Sequence, residues 1–197
     1  MRDSILDTVT VYIGDRAAEL RREEALPGTE ICPEKGIPYY PRLGLRANAL
    51  ALQTVLPEEE GKRLWELLKA AGLRKPGWRV RSLREPGARR LWGLAIRLMR
   101  RAPALLAIEP MSGMTPEDRG HFADLLRWCG ERGLSVSYTA SKLKDVMELD
   151  VPQRLCFCCP EGWRETDTAR LKAQQAITGG SEDWNELQRR MEGGARG

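Results

Sequence analysis

The sequence predicts an α/β fold with a mostly parallel sheet flanked by helices, and three stretches carry that expectation. Val9, Val11 and Ile13 alternate with polar residues before Gly14-Asp15, as in a short strand closing on a turn. Ala104 to Ile108 is a continuous apolar run, too short for a helix and suited to a strand buried on both faces. "LSVSYT", residues 134 to 139, alternates again. Helical periodicity separates these runs, and strands spaced by helices in this way assemble into parallel sheets.

The elements follow in order. After the first strand comes a polar segment, then "ICPEKGIPYYPRLGLRANALAL", where Pro33, Gly36, Pro38 and Pro41 demand loop before a helical pattern from Leu45 to Leu52. Pro57 opens a helix whose first turn holds Glu58 to Glu60, negative charge at the positive end of its dipole. Leu64, Leu67, Leu68 and Ala71 form its apolar stripe, and Gly72 is its expected stop. Residues 74 to 87 read as a basic loop, and Leu91, Leu94, Ala95 and Leu98 mark the next helix. Thr115 is placed to cap a further helix, with Pro116 at its first position, Asp118 three residues after the cap, and a stripe of Phe122, Leu125, Leu126 and Cys129. That helix ends at Gly130 or Gly133. A short helix from about Leu143, a strand over "RLCFCC" (154 to 159) and a tail helix from Ser181 with Trp184, Leu187 and Met191 on one face complete the chain.

Composition narrows the function classes. The net charge is only +4 on 197 residues, and the arginines lie beside glutamates, so solvated helix faces are expected and nucleic acid is not. No stretch approaches the roughly 20 apolar residues of a membrane span. Asp3 and Asp7 interrupt the start, so no signal peptide is expected. Five cysteines, three of them crowded at Cys156, Cys158 and Cys159, make no disulfide framework and fit free thiols in a reducing cytoplasm. A metal reading would pair that cluster with His121, but on a strand Cys156 and Cys158 share one face while Cys159 faces the other, so core thiols are expected, no metal, and an exposed His121. The six tryptophans are read mainly as core or interface packing.

Taken together, the landmarks from about residue 8 to 165 resemble the nucleotide-binding subunit of ABC transporters. "ICPEKGIPYYPRLGLRANALAL" is similar to the glutamine loop and the helix start after it, with Glu34 at the glutamine. "RSLREPGARRLWGLAIRLMRRAPALLAIEP" is similar to the signature motif, its helix and the Walker B strand. Arg84, Glu85, Pro86 and Gly87 then stand at the signature, Ile108 at the Walker B aspartate and Glu109 at the catalytic glutamate. "SGMTP" is similar to the D-loop, and Ser141 takes the place of the switch histidine.

The resemblance implies a partial P-loop NTPase-like fold: a truncated ABC-ATPase-like domain over 1–170, a helical subdomain at about 43–100 within it, and a helical tail over 171–197. It lacks a phosphate loop, because Gly61-Lys62 has Leu56 where the first glycine belongs and Arg63 in the hydroxyl place. Loss of the first strand and central helix is expected to bare apolar surface for a partner. Without a glycine-rich loop, a Walker B aspartate or a switch histidine, the groups that position and neutralise phosphates are missing, so no ATP hydrolysis by the chain alone is expected. Glu109 reads either as a surviving general base or as a strand-end carboxylate left without its neighbours.

No cofactor is expected on this reading. ATP and Mg²⁺ enter only if the phosphate loop comes from another chain, and a thiol- or metal-binding role for the Cys156 cluster is the third reading. Implied partners are a transporter membrane subunit or an active nucleotide-binding subunit, in a homo- or heterodimer, with Tyr39 and Tyr40 as docking aromatics. The implied location is the cytoplasm, peripheral at the inner face of the membrane through that partner.

Overall fold

The computed structural model of the chain describes residues 9–25, 27, 29–33, 66–75, 79–80, 85–99, 104–177 and 183–193. In chain order the elements are β1 (Val9–Ile13), α1 (Ala17–Glu23), β2 (Thr29–Cys32), β3 (Arg74–Lys75), β4 (Arg79–Val80), α2 (Pro86–Met99) and β5 (Ala104–Ala107). Then follow α3 (Pro116–Glu131), β6 (Val136–Ala140), α4 (Leu143–Met147), β7 (Arg154–Cys159), β8 (Gly162–Asp167), α5 (Thr168–Ile177) and α6 (Trp184–Gly193). Residues 66–70 are also helical.

Six strands form one sheet in the order β2-β5-β6-β1-β7-β8, and all neighbours are parallel except the β7–β8 pair. The α/β expectation is therefore met, and the strand expected at Val9–Ile13 is present. β1 lies inside the sheet, paired to β6 on one side and β7 on the other, and α1 follows it. Period-2 patterning explains the placement: Val9, Val11 and Ile13 are fully buried on one face, while Thr10 and Tyr12 on the other are only partly covered. Val11 sits level with Tyr138 and Leu155, both fully buried, so three strands feed one core layer. Tyr138 meets Phe122 of α3 edge to face at 5.2 Å, and its hydroxyl donates to the buried Gln153 side chain, which keeps the phenol paired inside the core. On the edge strand β2, the Arg97 Nε–H donates to the Ile31 carbonyl at 2.9 Å, which shields part of an open edge.

Helix ends follow the sequence signals. Thr115 and Asp118 form a reciprocal capping box at the start of α3, whose stripe Phe122, Leu125, Leu126 and Cys129 is buried. Its stop is Gly133, at φ +64°, where Leu134 N–H donates to Cys129 O and Gly133 N–H to Gly130 O, a Schellman closure. Gly72 closes residues 66–70 in the same way, at φ +61°, with Leu73 N–H on Leu68 O.

Several boundaries differ from expectation. Residues 74 to 87 are not one loop: β3 and β4 pair antiparallel, and Pro86 and Gly87 already belong to α2. Pro86 fits there because its missing N–H falls in the unpaired first turn. β8 and α5 carry no strong apolar period, and only Thr168 and Leu171 of α5 are buried. The expected 170/171 boundary falls within α5, and Leu171 and Leu187 join the same core as the sheet. Of the expected subdomain over 43–100, residues 43–65 lie outside the described residues. No helix among the described residues is long and apolar enough to cross a membrane.

Gly87 has a packing reason to be glycine. A Cβ built on it would lie 2.2 Å from the Asp118 carboxylate, so α2 approaches the capping box of α3 more closely than any side chain allows. Gly87→Ala should therefore destabilise the chain by about 1–3 kcal/mol, through overpacking and disruption of the cap. Denaturant unfolding checks this, and Asp118→Ala in the same chain should recover part of the loss. Strict additivity of the two substitutions would show that the residues do not press on one another.

Candidate functional site

The carboxyl ends of β5, β6, β1 and β7 lie on one side of the sheet, and the residues just beyond them form the candidate site. Glu109, two residues past β5, has φ +43°, an uncommon conformation for a non-glycine residue. Its N–H donates to Thr139 Oγ at 2.9 Å, and its carboxylate accepts from the Ser141 N–H at 3.3 Å. Two sequence-predicted residues, Glu109 and Ser141, are thus brought together, the carboxylate bonded to the backbone at the tip of β6. Ile108 is 2% exposed, part of the apolar interior and without a polar atom to offer a metal ion.

Gly14 follows β1. It sits at φ +132°, outside the range of L side chains, and its N–H donates to Ala140 O at 3.2 Å. The chain enters α1 after only Asp15 and Arg16, with Ala17 N–H turned back onto Gly14 O at 3.0 Å. A Cβ on Gly14 would lie 3.0 Å from Cys158 Cβ and 3.3 Å from Glu192 Oε1, so this turn is packed against β7 and α6.

From α6, Gln188 reaches three groups. Its carbonyl accepts from Leu143 N–H at 2.7 Å, and its amide donates to Ser141 O at 2.9 Å and to Glu192 Oε1 at 2.7 Å. Burial raises the Glu192 pKa, the Gln188 hydrogen bond opposes that shift, and the Asp15 charge adds to it.

The remaining predicted residues separate. Gly87 lies against Asp118, and Glu85 supplies the carbonyl at the start of α2 that accepts from Arg89 N–H. Glu34, Tyr39 and Tyr40 lie outside the described residues. His121 is not exposed as expected: it is half-buried over Gly72, with Glu117 at 3.7 Å. Among the described residues no three potential metal ligands converge. Cys156 is buried and its thiol is pushed up to about 11, mainly by burial, while burial also raises Cys158 against the lowering effect of Arg16. Both shifts favour neutral thiols over metal-binding thiolates.

Gly14, Thr139, Gln188 and Glu192 were not picked out by sequence reasoning as site residues. A signal existed for Gly14, which follows an alternating strand in an α/β chain. None existed for Gln188 and Glu192, polar residues on a tail helix whose partners outside that helix lie far upstream in the chain, as in Gln188 to Leu143 at a separation of 45 and to Ser141 at 47.

The raised Glu192 pKa has a testable sign. Folding favours the protonated carboxyl, so this contribution is fully present below the ordinary value of 4.5 and is lost as pH rises through the raised one. Glu192→Gln, which keeps an acceptor for Gln188, should raise Tm at pH 7 and leave it nearly unchanged at pH 4. Thermal unfolding at the two pH values checks this. An equal effect at both would place the carboxylate in solvent.

No protein-family model matches the sequence, and no curated protein matches it in sequence. Solved structures do match in fold. CbiO1 of Clostridium perfringens, part of the ABC transporter complex CbiONQ, superposes with a TM-score of 0.62 at 13% identity, over 88% of this chain and 82% of that one. A chain from a structure described as an inward-facing metal-chelate type ABC transporter gives 0.57 at 11% identity, over 87% and 78%. The chain therefore shares the mixed α/β fold of these two ABC transporter chains.

Proposed function

We propose that this chain is a nucleotide-binding-domain-like component of an ABC transporter that does not hydrolyse ATP by itself and acts as a non-catalytic partner or regulatory subunit. The observation that carries this reading is the turn from β1 to α1. At the strand end where such a fold would cradle phosphates, Gly14, Asp15 and Arg16 are the whole connection. A phosphate-binding loop needs several successive backbone N–H groups aimed at the ligand, together with a lysine. This turn has neither the length nor the lysine, and it carries an aspartate.

Two further features support the reading. Buried Ile108 stands where the resemblance puts a Mg²⁺-holding aspartate, and the Glu109 carboxylate accepts from Ser141 N–H. Positioning and charge neutralisation supply most of phosphoryl-transfer catalysis, so their joint loss removes the activity instead of tuning it. The partner on this reading is a transporter membrane subunit or an active nucleotide-binding subunit, and the location is the inner face of the membrane through that partner. Glu34, Glu85, Pro86, Gly87, Glu109 and Ser141 are then positional counterparts of nucleotide contacts, and Tyr39 and Tyr40 are candidates for docking.

Calorimetry of the purified chain with Mg²⁺-ATP tests the proposal. The expected outcome is no binding heat at millimolar nucleotide. Micromolar binding would overturn it and make Glu109→Gln the next variant, since a working site would then need a general base.

A further inference from the structure

Open α/β sheets bind ligands beyond the carboxyl ends of their strands, at the point where successive connections leave in opposite directions. In this sheet that point lies between β1 and β6. From β1 the chain proceeds to β2 at one edge, and from β6 it proceeds to β7 on the other side. The place is already covered by α6. Gln188 holds an N–H of the first turn of α4 and the Ser141 carbonyl past β6, and Glu192 lies against Gly14 past β1. Cys159 at the end of β7 donates its thiol to Met191 O at 3.0 Å.

The attachment is narrow. Only Leu187 of α6 is fully buried, Trp184 and Met191 are partly buried, and most of the remaining positions of the helix are exposed or half-exposed. A helix held by one buried leucine, two partly buried apolar side chains and a few polar bonds opens at a lower cost than the strands beneath it. Gln188 supplies what the ends of β6 and α4 otherwise lack, one acceptor for an orphan helix N–H and one donor for a terminal carbonyl.

We propose that α6 is a self-docked lid over the switch point of the sheet, with Gln188 as its latch, so that a ligand entering between β1 and β6 must displace the helix. The lid is a property of the chain alone and stands whether or not nucleotide binds.

Alkylation of the full chain with iodoacetamide, resolved by mass spectrometry at individual cysteines, tests it without nucleotide. Gln188→Ala should accelerate labelling of Cys159 on the order of 10-fold, the factor for losing one or two net hydrogen bonds. Cys32 and Cys129, buried in the core, should keep their slow rates. Unchanged labelling of Cys159 overturns the proposal, as does equal acceleration at Cys32 and Cys129, which would mean that the whole chain opens together. Should the variant not accumulate, hydrogen exchange of the unaltered chain decides. Amides of 184–193 exchanging as a group ahead of β1 and β6 support the lid, and exchange in step with those strands overturns it.

Discussion

β1 is bracketed by parallel partners, and this one constraint sets the level of everything at the carboxyl edge. Ile13 pairs level with Ala140 of β6 and Phe157 of β7, so the next residues along, Gly14, Ser141 and Cys158, fall on one tier. A parallel strand inside a sheet has partners on both sides and needs cover on its faces. Val9, Val11 and Ile13 meet that need with complete burial on the face that also takes Tyr138, Leu155 and Phe157. A one-residue slip would turn Thr10 and Tyr12 into this layer, which is why alternation alone fixes the register.

The tier is held by short-range polar bonds. Glu109 adopts a conformation that costs on the order of 1–3 kcal/mol in isolation. It persists because Thr139 accepts its N–H and its own carboxylate accepts from Ser141. The Thr139 side chain is fully buried, so the bond it makes is not exchanged with water and leaving it unmade would be costly. The polar groups past β5 and β6 are therefore engaged with one another and with Gln188, which brings a helix about 45 residues downstream onto the same tier.

How much of this was legible in the sequence depends on the range of the signal. The strands β1, β5, β6 and β7, the cap at Thr115 and the stop at Gly72 rest on patterns within a few residues, and they stand where those patterns put them. β8 was missed because "GWRETD" has no apolar alternation; its pairing comes from a two-residue hairpin onto β7. The strand and the loop are separate features, and β1 is present with a three-residue turn after it. Glu109 and Ser141 were found through order along the chain, whereas Gln188 and Glu192 act only through tertiary contacts that no local window contains.

The separation of strand from loop has a physical basis that bears on how function is read from this fold. The sheet is maintained by apolar patterning, which many sequences satisfy, so 13% identity is enough to keep a TM-score of 0.62. Phosphate binding instead depends on a few backbone N–H groups left unpaired and directed at one point. In this chain the N–H of Gly14 is committed to Ala140 O and that of Ala17 to Gly14 O. A third approach to the same turn is taken by the Glu192 carboxylate, an anion that would repel a phosphate. An anionic ligand held by the Gly14 and Ala17 N–H groups would have to break those bonds and meet that charge.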